Sequence, residues 1–272
     1  MESLQTAMSF LAAPALACIA LSTTFAWFGL HVLKREILFV DLSLAQLAAL
    51  GATLALALGA EHDSLGSTLI SLALVVFGSF LFAWLRMHSR QVSQEAVIGV
   101  IYVVAASLSV LLADGLPHGA EHLHSLLNGS VLWISWAVAG QIAVVAGLVL
   151  SLHWKFRDRI MSQTQKGQTS LEAPLAFSWW DVFFFSSLGI MVVLATPVAG
   201  VFLVFALLII PAVCATLLTS GRQYMLGALL GAGACLFGLA MSYAMDLPAG
   251  GSIVCVLGLL FFASLTLSLS RR

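Results

Sequence analysis

The sequence predicts an all-α, polytopic transmembrane helical bundle of about nine spans, and three observations carry that prediction. Hydrophobic residues make up 61% of the 272 positions and charged residues only 8%. Apolar runs recur along the chain, each long enough for a hydrocarbon core of roughly 30 Å, which takes about 20 helical residues. Finally, all eleven lysines and arginines fall on one side of the membrane if the chain crosses nine times.

The spans are expected at residues 10–31, 38–59, 67–85, 96–113, 131–153, 177–195, 200–218, 224–245 and 251–269. Lys34 and Arg35 follow the first, Arg86 and Arg90 the third, and Lys155, Arg157, Arg159 and Lys166 the fifth. Arg222 follows the seventh, and Arg271 and Arg272 the last. These are all odd-numbered exits, so they mark the cytoplasmic side. The opposite loops carry Glu61, Asp63, Asp114, Glu121 and Asp246 without a lysine or arginine. The amino terminus is therefore expected outside and the carboxyl terminus in the cytoplasm.

The first apolar stretch is preceded by Glu2 and no basic residue, which reads as a first span and not as a secretory signal. The connections are short, so residues 1–272 are expected to form a single transmembrane domain. A net charge of −1 gives no support for nucleic-acid binding. Cys18, Cys214, Cys235 and Cys255 stand singly within spans, without the spacing of a zinc site, and read as apolar filler. Trp133 and Trp136 near one interface, and Trp179 and Trp180 near the other, suit indoles anchored at membrane lipid headgroups.

No Gly-x-x-x-x-Gly-Lys-Ser/Thr phosphate loop is present, and no cytoplasmic stretch is large enough for a nucleotide-binding domain. If ATP drives transport, another subunit hydrolyses it, and no covalent catalysis is expected here. The densest coordinating cluster is Pro-His-Gly-Ala-Glu-His-Leu-His at 117–124, on the outer side. In a helix, His118, Glu121 and His122 at i, i+3 and i+4 share a face and offer two imidazoles and a carboxylate to a divalent ion, with His124 on a neighbouring turn. A polar loop with no metal accounts for the same residues equally well.

Asp41, Ser43 and Gln46 are polar positions in the second span, where burial is costly unless they face a cavity or another helix. Asp41 lies close to the helix start, so the positive helix end with Lys34 or Arg35 accounts for it as well as ion coordination does. Pro197 and Gly200 predict a very short outer turn, and Pro211 interrupts the seventh span, freeing a backbone carbonyl.

Four segments bear a family likeness: Glu-Ala-Val-Ile-Gly-Val-Ile-Tyr at 95–102, Leu-Leu-Asn-Gly-Ser-Val-Leu-Trp at 126–133, the Val-Ala-Gly-to-Ile-Pro-Ala run at 198–212, and Asp-Leu-Pro-Ala-Gly-Gly at 246–251. In order and over most of the chain, they resemble the permease subunits of zinc, manganese and iron ABC importers. The resemblance implies a homodimeric permease in a bacterial plasma (inner) membrane. Its partners would be a second permease copy, cytoplasmic ATP-binding subunits and an extracytoplasmic metal-binding protein, with a divalent transition metal as cargo and no cofactor in the chain. A permease carrying a metal chelate, or a proton-coupled carrier using Asp41, Asp181 or Glu95, stands as the alternative.

In that family an Asp-x-x-Ser-His pattern in the second span is associated with the metal path. Aligned without a gap, Leu42 and Gln46 occupy the aspartate and histidine positions, with Asp41 one residue early. One residue turns a helical side chain by about 100°, so Asp41 does not simply replace the missing carboxylate. Gln46 still offers an oxygen. The resemblance also implies a short cytoplasmic helix that meets the ATPase, and the basic connection at 155–174, with Arg157, Asp158 and Arg159, is its candidate.

Overall fold

The computed structural model describes residues 2–61, 64–88, 93–116, 119–169 and 177–270. His118, Asp63, Arg90, Arg271, Arg272 and the 170–174 end of the cytoplasmic connection lie outside the described residues. Ten α-helices and one short 3₁₀ turn make up the secondary structure, and no strand occurs among the described residues. They are α1 (Glu2–Arg35), α2 (Val40–Ala57), α3 (Leu65–His88), α4 (Gln94–Asp114) and α5 (Gly119–Asn128), followed by the turn Val131–Trp133. After it come α6 (Trp136–Lys155), α7 (Arg157–Thr169), α8 (Trp179–Leu218), α9 (Gln223–Met245) and α10 (Ala249–Ser270).

Among the described residues, eight helices are long and apolar enough to cross a membrane. The count reaches nine segments because α8 runs for 40 residues, about twice a bilayer's requirement, and breaks at Gly200. The short turn expected between the sixth and seventh spans falls at this break, where two helical segments meet at Gly200. Gly200 has φ 78° and ψ 155°, which only a residue without a Cβ adopts at little cost.

The chain divides into two compact units. Unit 1 comprises Met1–Leu33, Asn128–Leu152 and Pro197–Arg272; unit 2 comprises Lys34–Leu127 and His153–Thr196. In unit 1, α1 contributes the fully buried Cys18, Leu21, Phe25 and Phe28. Small residues let its neighbours approach: a Cβ on Gly29 would meet the Leu208 carbonyl, and one on Gly231 would meet the Ser22 hydroxyl. Ser22 in turn donates to the Ala228 carbonyl at 3.5 Å. Close backbone approach of this kind supplies the packing that lipid, as apolar as leucine, cannot drive by itself.

Unit 2 is built on α2, which packs against both α3 and α4. Ser71 donates to the Ala48 carbonyl at 3.0 Å, and a Cβ on Gly51 would collide with the Ser71 backbone. Gly189 in the first half of α8 admits Val75 in the same way. Phe82 and Phe185 meet edge to face at 5.9 Å. By contrast α4 exposes Val100, Val103, Val104, Leu108 and Leu111, an apolar face suited to lipid.

Candidate functional site

Asp41 sits in the first turn of α2 and is 1% exposed, yet neither of its carboxylate oxygens has a hydrogen-bond partner. The expectation that Lys34 or Arg35 would neutralise it is not met: Arg35 turns to Asp181 instead, because α1 ends where α7 and α8 supply a buried acceptor set. Glu95 stands in the first turn of α4. Helix α4 starts cleanly, with the Ser93 hydroxyl accepting from the Ala96 N–H at 3.2 Å. That start places Glu95 beneath the entrance to α2, where its Oε1 accepts from the Phe39 N–H at 3.2 Å. Glu95 Oε2 is buried and has no partner.

Leu42 and Gln46 are half-buried and lie on the same side of α2 at i and i+4, whereas Asp41 and Leu44 are buried. Asp41 and Gln46 therefore belong to different faces, as the one-residue displacement requires. The structure separates two residues that the sequence offered together as metal ligands. It brings Glu95, which the sequence reading held only as a member of a carrier pathway, to the Phe39 N–H at the entrance to α2. No local signal announces that contact, since it depends on α2 and α4 being neighbours across more than 50 residues.

The basic connection after α6 contains α7. Its Arg157, Asp158 and Arg159 are exposed, and Arg157 meets Asp158 at 3.6 Å in an ion pair open to solvent. Ile160 and Thr164, at i and i+4, turn inward and are fully buried. Thr164 is tied from two directions: its hydroxyl donates to the Ile160 carbonyl at 3.0 Å and accepts from Arg35 Nε at 3.1 Å. Arg35 Nη1 also reaches Asp181 Oδ1 at 3.0 Å, with both side chains 3% exposed, and its guanidinium lies 4.2 Å from the centre of the Phe184 ring. One arginine thus fastens the end of α1 to α7 and to the start of α8. His153 stands nearby in sequence terms on α6, buried, its Nε2 2.8 Å from the Ser187 hydroxyl.

In the histidine-rich segment, Glu121 and His124 lie exposed on α5, and His122 falls within the same helix. Among the described residues, no group of three or more histidine, cysteine, aspartate or glutamate side chains is arranged to hold a metal. The end of α5 leads into a crowded crossing in unit 1. Gly129, at φ 65°, has no room for a Cβ, which would strike the backbone of Val198, Ala199 and Gly200. The Ser130 N–H donates to the Val198 carbonyl at 2.8 Å, and Gly250 at the start of α10 stands close to the Asn128 carbonyl. Three of the four segments carrying the family likeness meet at this crossing.

The described residues form a helical multi-pass bundle, eight of whose helices are long and apolar enough to cross a membrane. The chain matches the ABC 3 transport family over residues 7–268 and belongs to that family. It is 28% identical over 198 residues to a "Probable iron transport system membrane protein" of Haemophilus influenzae, covering 71% of this chain and 68% of that protein. It is 26% identical over 177 residues to the "Manganese transport system membrane protein MntC" of Listeria innocua, covering 64% of this chain and 63% of the relative. The "Chelated iron transport system membrane protein YfeC" of Yersinia pestis is also similar, 26% identical over 179 residues, with 64% and 60% covered. The matched stretch thus spans about two thirds of these relatives' lengths.

Among solved structures, PsaBC from Streptococcus pneumoniae in complex with Fab aligns with a TM-score of 0.76 at 19% identity, covering 94% of this chain and 90% of that one. An inward-facing metal-chelate type ABC transporter aligns at 0.70, also with 19% identity, covering 97% and 89%. These two likenesses establish the fold: all-α, of the ABC-permease type.

Proposed function

We propose that this chain is the permease subunit of an ATP-driven importer for a divalent transition metal, working by alternating access in a bacterial plasma membrane. Relatives named for manganese, iron and chelated iron transport support the cargo class. ATP hydrolysis falls to a cytoplasmic partner subunit, an extracytoplasmic binding protein delivers the ion, and a second permease copy completes the path. The amino terminus lies outside and the carboxyl terminus in the cytoplasm, as the one-sided distribution of basic residues requires. His118, Glu121, His122 and His124 are the receiving groups on the outer side, with Gln46 on the half-open stripe of α2 as an oxygen donor on the way in.

The observation that carries this reading is α7, a helix in the basic cytoplasmic connection with a charged face outward and its inner face fixed by Arg35. A helix meant to transmit motion needs such an arrangement: free polar side chains for the ATPase, and rigid attachment to the membrane helices behind it. Closing of the ATPase pair on ATP then moves α7, and α1 and α8 with it, because the three are joined at one guanidinium. The energy is a bias between two conformations, so the ATPase must hold α7 differently in each.

The test is reconstitution of the permease with a partner ATPase, followed by ATP-dependent uptake of radioactive manganese, iron and zinc into vesicles. Alanine at Arg157, Asp158 and Arg159 together is expected to leave the permease in the membrane while abolishing stimulated hydrolysis and uptake. Wild-type vesicles that accumulate none of the three metals would refute the cargo. Uptake that persists without the ATPase would favour a proton-coupled carrier.

A further inference from the structure

Helices α1 and α9 cross in unit 1 with a register that can be followed rung by rung. A Cβ built on Gly227 would stand 3.6 Å from the Ala26 Cβ, and one built on Gly231 would stand 3.4 Å from the Ser22 Cβ. The step is four residues forward on α9 and four back on α1, so the helices run antiparallel and each step is about one turn of a shared face. The next rung sets Cys235 opposite Cys18. Both are fully buried, and the Cys235 thiol has the Cys18 side chain as a hydrogen-bond partner. A disulfide spans about 3.5–4.5 Å between Cβ atoms, close to the separations that the crossing sets at the two rungs before it. Close packing alone does not call for two sulfurs here, since alanine, serine and glycine fill the neighbouring rungs.

We propose that Cys18 and Cys235 form an oxidation site, a thiol pair that a small neutral peroxide converts into a disulfide stapling α1 to α9. Burial sets the class of reagent, because a pair with no exposed surface admits neither charged nor bulky oxidants. In the first step one Sγ attacks a peroxide oxygen and the O–O bond breaks; the departing hydroxide takes the thiol proton and leaves as water. In the second, the facing Sγ attacks the sulfenic sulfur and the S–O bond breaks, with hydroxide taking the second thiol proton as another water. The two thiols together lose two electrons, and hydrogen peroxide is reduced to two waters. Contact between the sulfurs favours the second step over further oxidation, because the attacking thiol is already in place. Neither step leaves a free charge in the apolar interior. The other two cysteines lack this setting, since Cys214 has Ser264 as its side-chain partner and Cys255 is exposed. The bond closes a loop that contains all of unit 2. It is a property of the packing within unit 1 and does not depend on what the permease carries.

The experiment exposes the purified full-length chain in lipid nanodiscs to hydrogen peroxide, then blocks remaining thiols with N-ethylmaleimide in denaturing detergent. Trypsin cuts the chain at the exposed Arg157 and Arg159 of α7. Cys18 is the only cysteine before that cut, so any disulfide joining the two sides must include it. In the oxidised wild type the fragments are expected to migrate together on a denaturing gel and to separate when dithiothreitol is added, with two of the four thiols lost to maleimide. Cys235→Ala should abolish the link, whereas Cys214→Ala and Cys255→Ala should keep it. If Cys235→Ala does not fold, mass spectrometry of the wild type decides, through a peptide pair joined between Cys18 and Cys235. Fragments that separate without reductant, a link that survives Cys235→Ala, or recovery of Cys18 and Cys235 as free thiols or sulfinic acids overturns the site.

Discussion

Replacing Asp181 by asparagine is the most direct probe of how the cytoplasmic helix is held. The substitution keeps size and shape but removes the carboxylate charge that faces the Arg35 guanidinium, which is 3% exposed. Removing one partner of a buried ion pair costs about 3–5 kcal/mol, because the desolvation of the survivor is no longer offset. Other contacts remain to Arg35, among them the Thr164 hydroxyl at 3.1 Å and the Phe184 ring at 4.2 Å. A desolvated cation over an aromatic ring is worth about 2 kcal/mol, so the lower end of the range, about 3 kcal/mol, is expected. That corresponds to roughly a hundredfold change in the unfolding equilibrium. The assay is titration of the purified chain from mild detergent into denaturing detergent, following tryptophan fluorescence, with limited proteolysis in α7 as the local readout. The exposed Arg157–Asp158 pair, 3.6 Å apart, serves as the internal standard; its loss should cost no more than about 1 kcal/mol. Replacing both partners together, Arg35→Met with Asp181→Leu, should recover most of the stability, since a matched apolar pair carries no desolvation cost. An Asp181→Asn protein as stable as the Asp158→Asn one, with α7 equally resistant to protease, would refute the reasoning.

Other outcomes follow from the same geometry. Alanine at Gly129 should sharply reduce the amount of folded protein, because φ 65° is combined with backbone in the way of a Cβ, whereas alanine at Gly59, at φ 86° in open space, should cost only about 1 kcal/mol; fluorescence size-exclusion of the two variants compares them. In a cysteine-free background, cysteine at His124 should react with an impermeant thiol reagent on intact cells and cysteine at Arg159 only after permeabilisation; equal labelling of both would reject the nine-crossing topology. Alanine at both His118 and His122 should lower metal uptake most when the ion is scarce, and unchanged uptake at limiting metal and equal membrane abundance would reduce the cluster to a polar surface.

Hydropathy and the placement of lysine and arginine made the helices and their order readable, because a bilayer imposes length and forbids unpaired backbone. A helix in the 155–174 connection was implied by the family resemblance, with side and length selecting the segment, and α7 occupies 157–169. Gly200 was read as the point where two spans meet, but no local pattern says whether the chain there turns or kinks. The polar interior was much less legible. Arg35 counted as an orientation signal and Asp181 as a span-end charge, and nothing in either neighbourhood names the other, 146 residues away. Asp41 was visible as an oddity; the reach of Glu95 to the Phe39 N–H was not, because it arises only from the packing of α2 on α4. Burial without a partner is a property of three-dimensional neighbours, and sequence spacing within one helix cannot express it.

The discontinuity of unit 1 bears on how the protein is made. Ser22 on α1 finds its partner at Ala228 on α9, 206 residues further along the chain. At about 5–20 residues per second, the ribosome takes on the order of 10–40 s to supply it. Over that interval α1 is in the membrane with an apolar surface cut to fit helices that do not yet exist. Thr24 is provided for, since its hydroxyl donates to the Ala20 carbonyl of the same helix at 2.8 Å. Ser22 and the glycine-matched surface around it have no such local remedy. Unit 2, bounded by Lys34 and Thr196, completes its helices while unit 1 still waits for α9 and α10. Lesions on α1 should therefore surface as chains destroyed by membrane quality control during or soon after synthesis, while lesions in unit 2 reach the finished transporter and are seen in its activity.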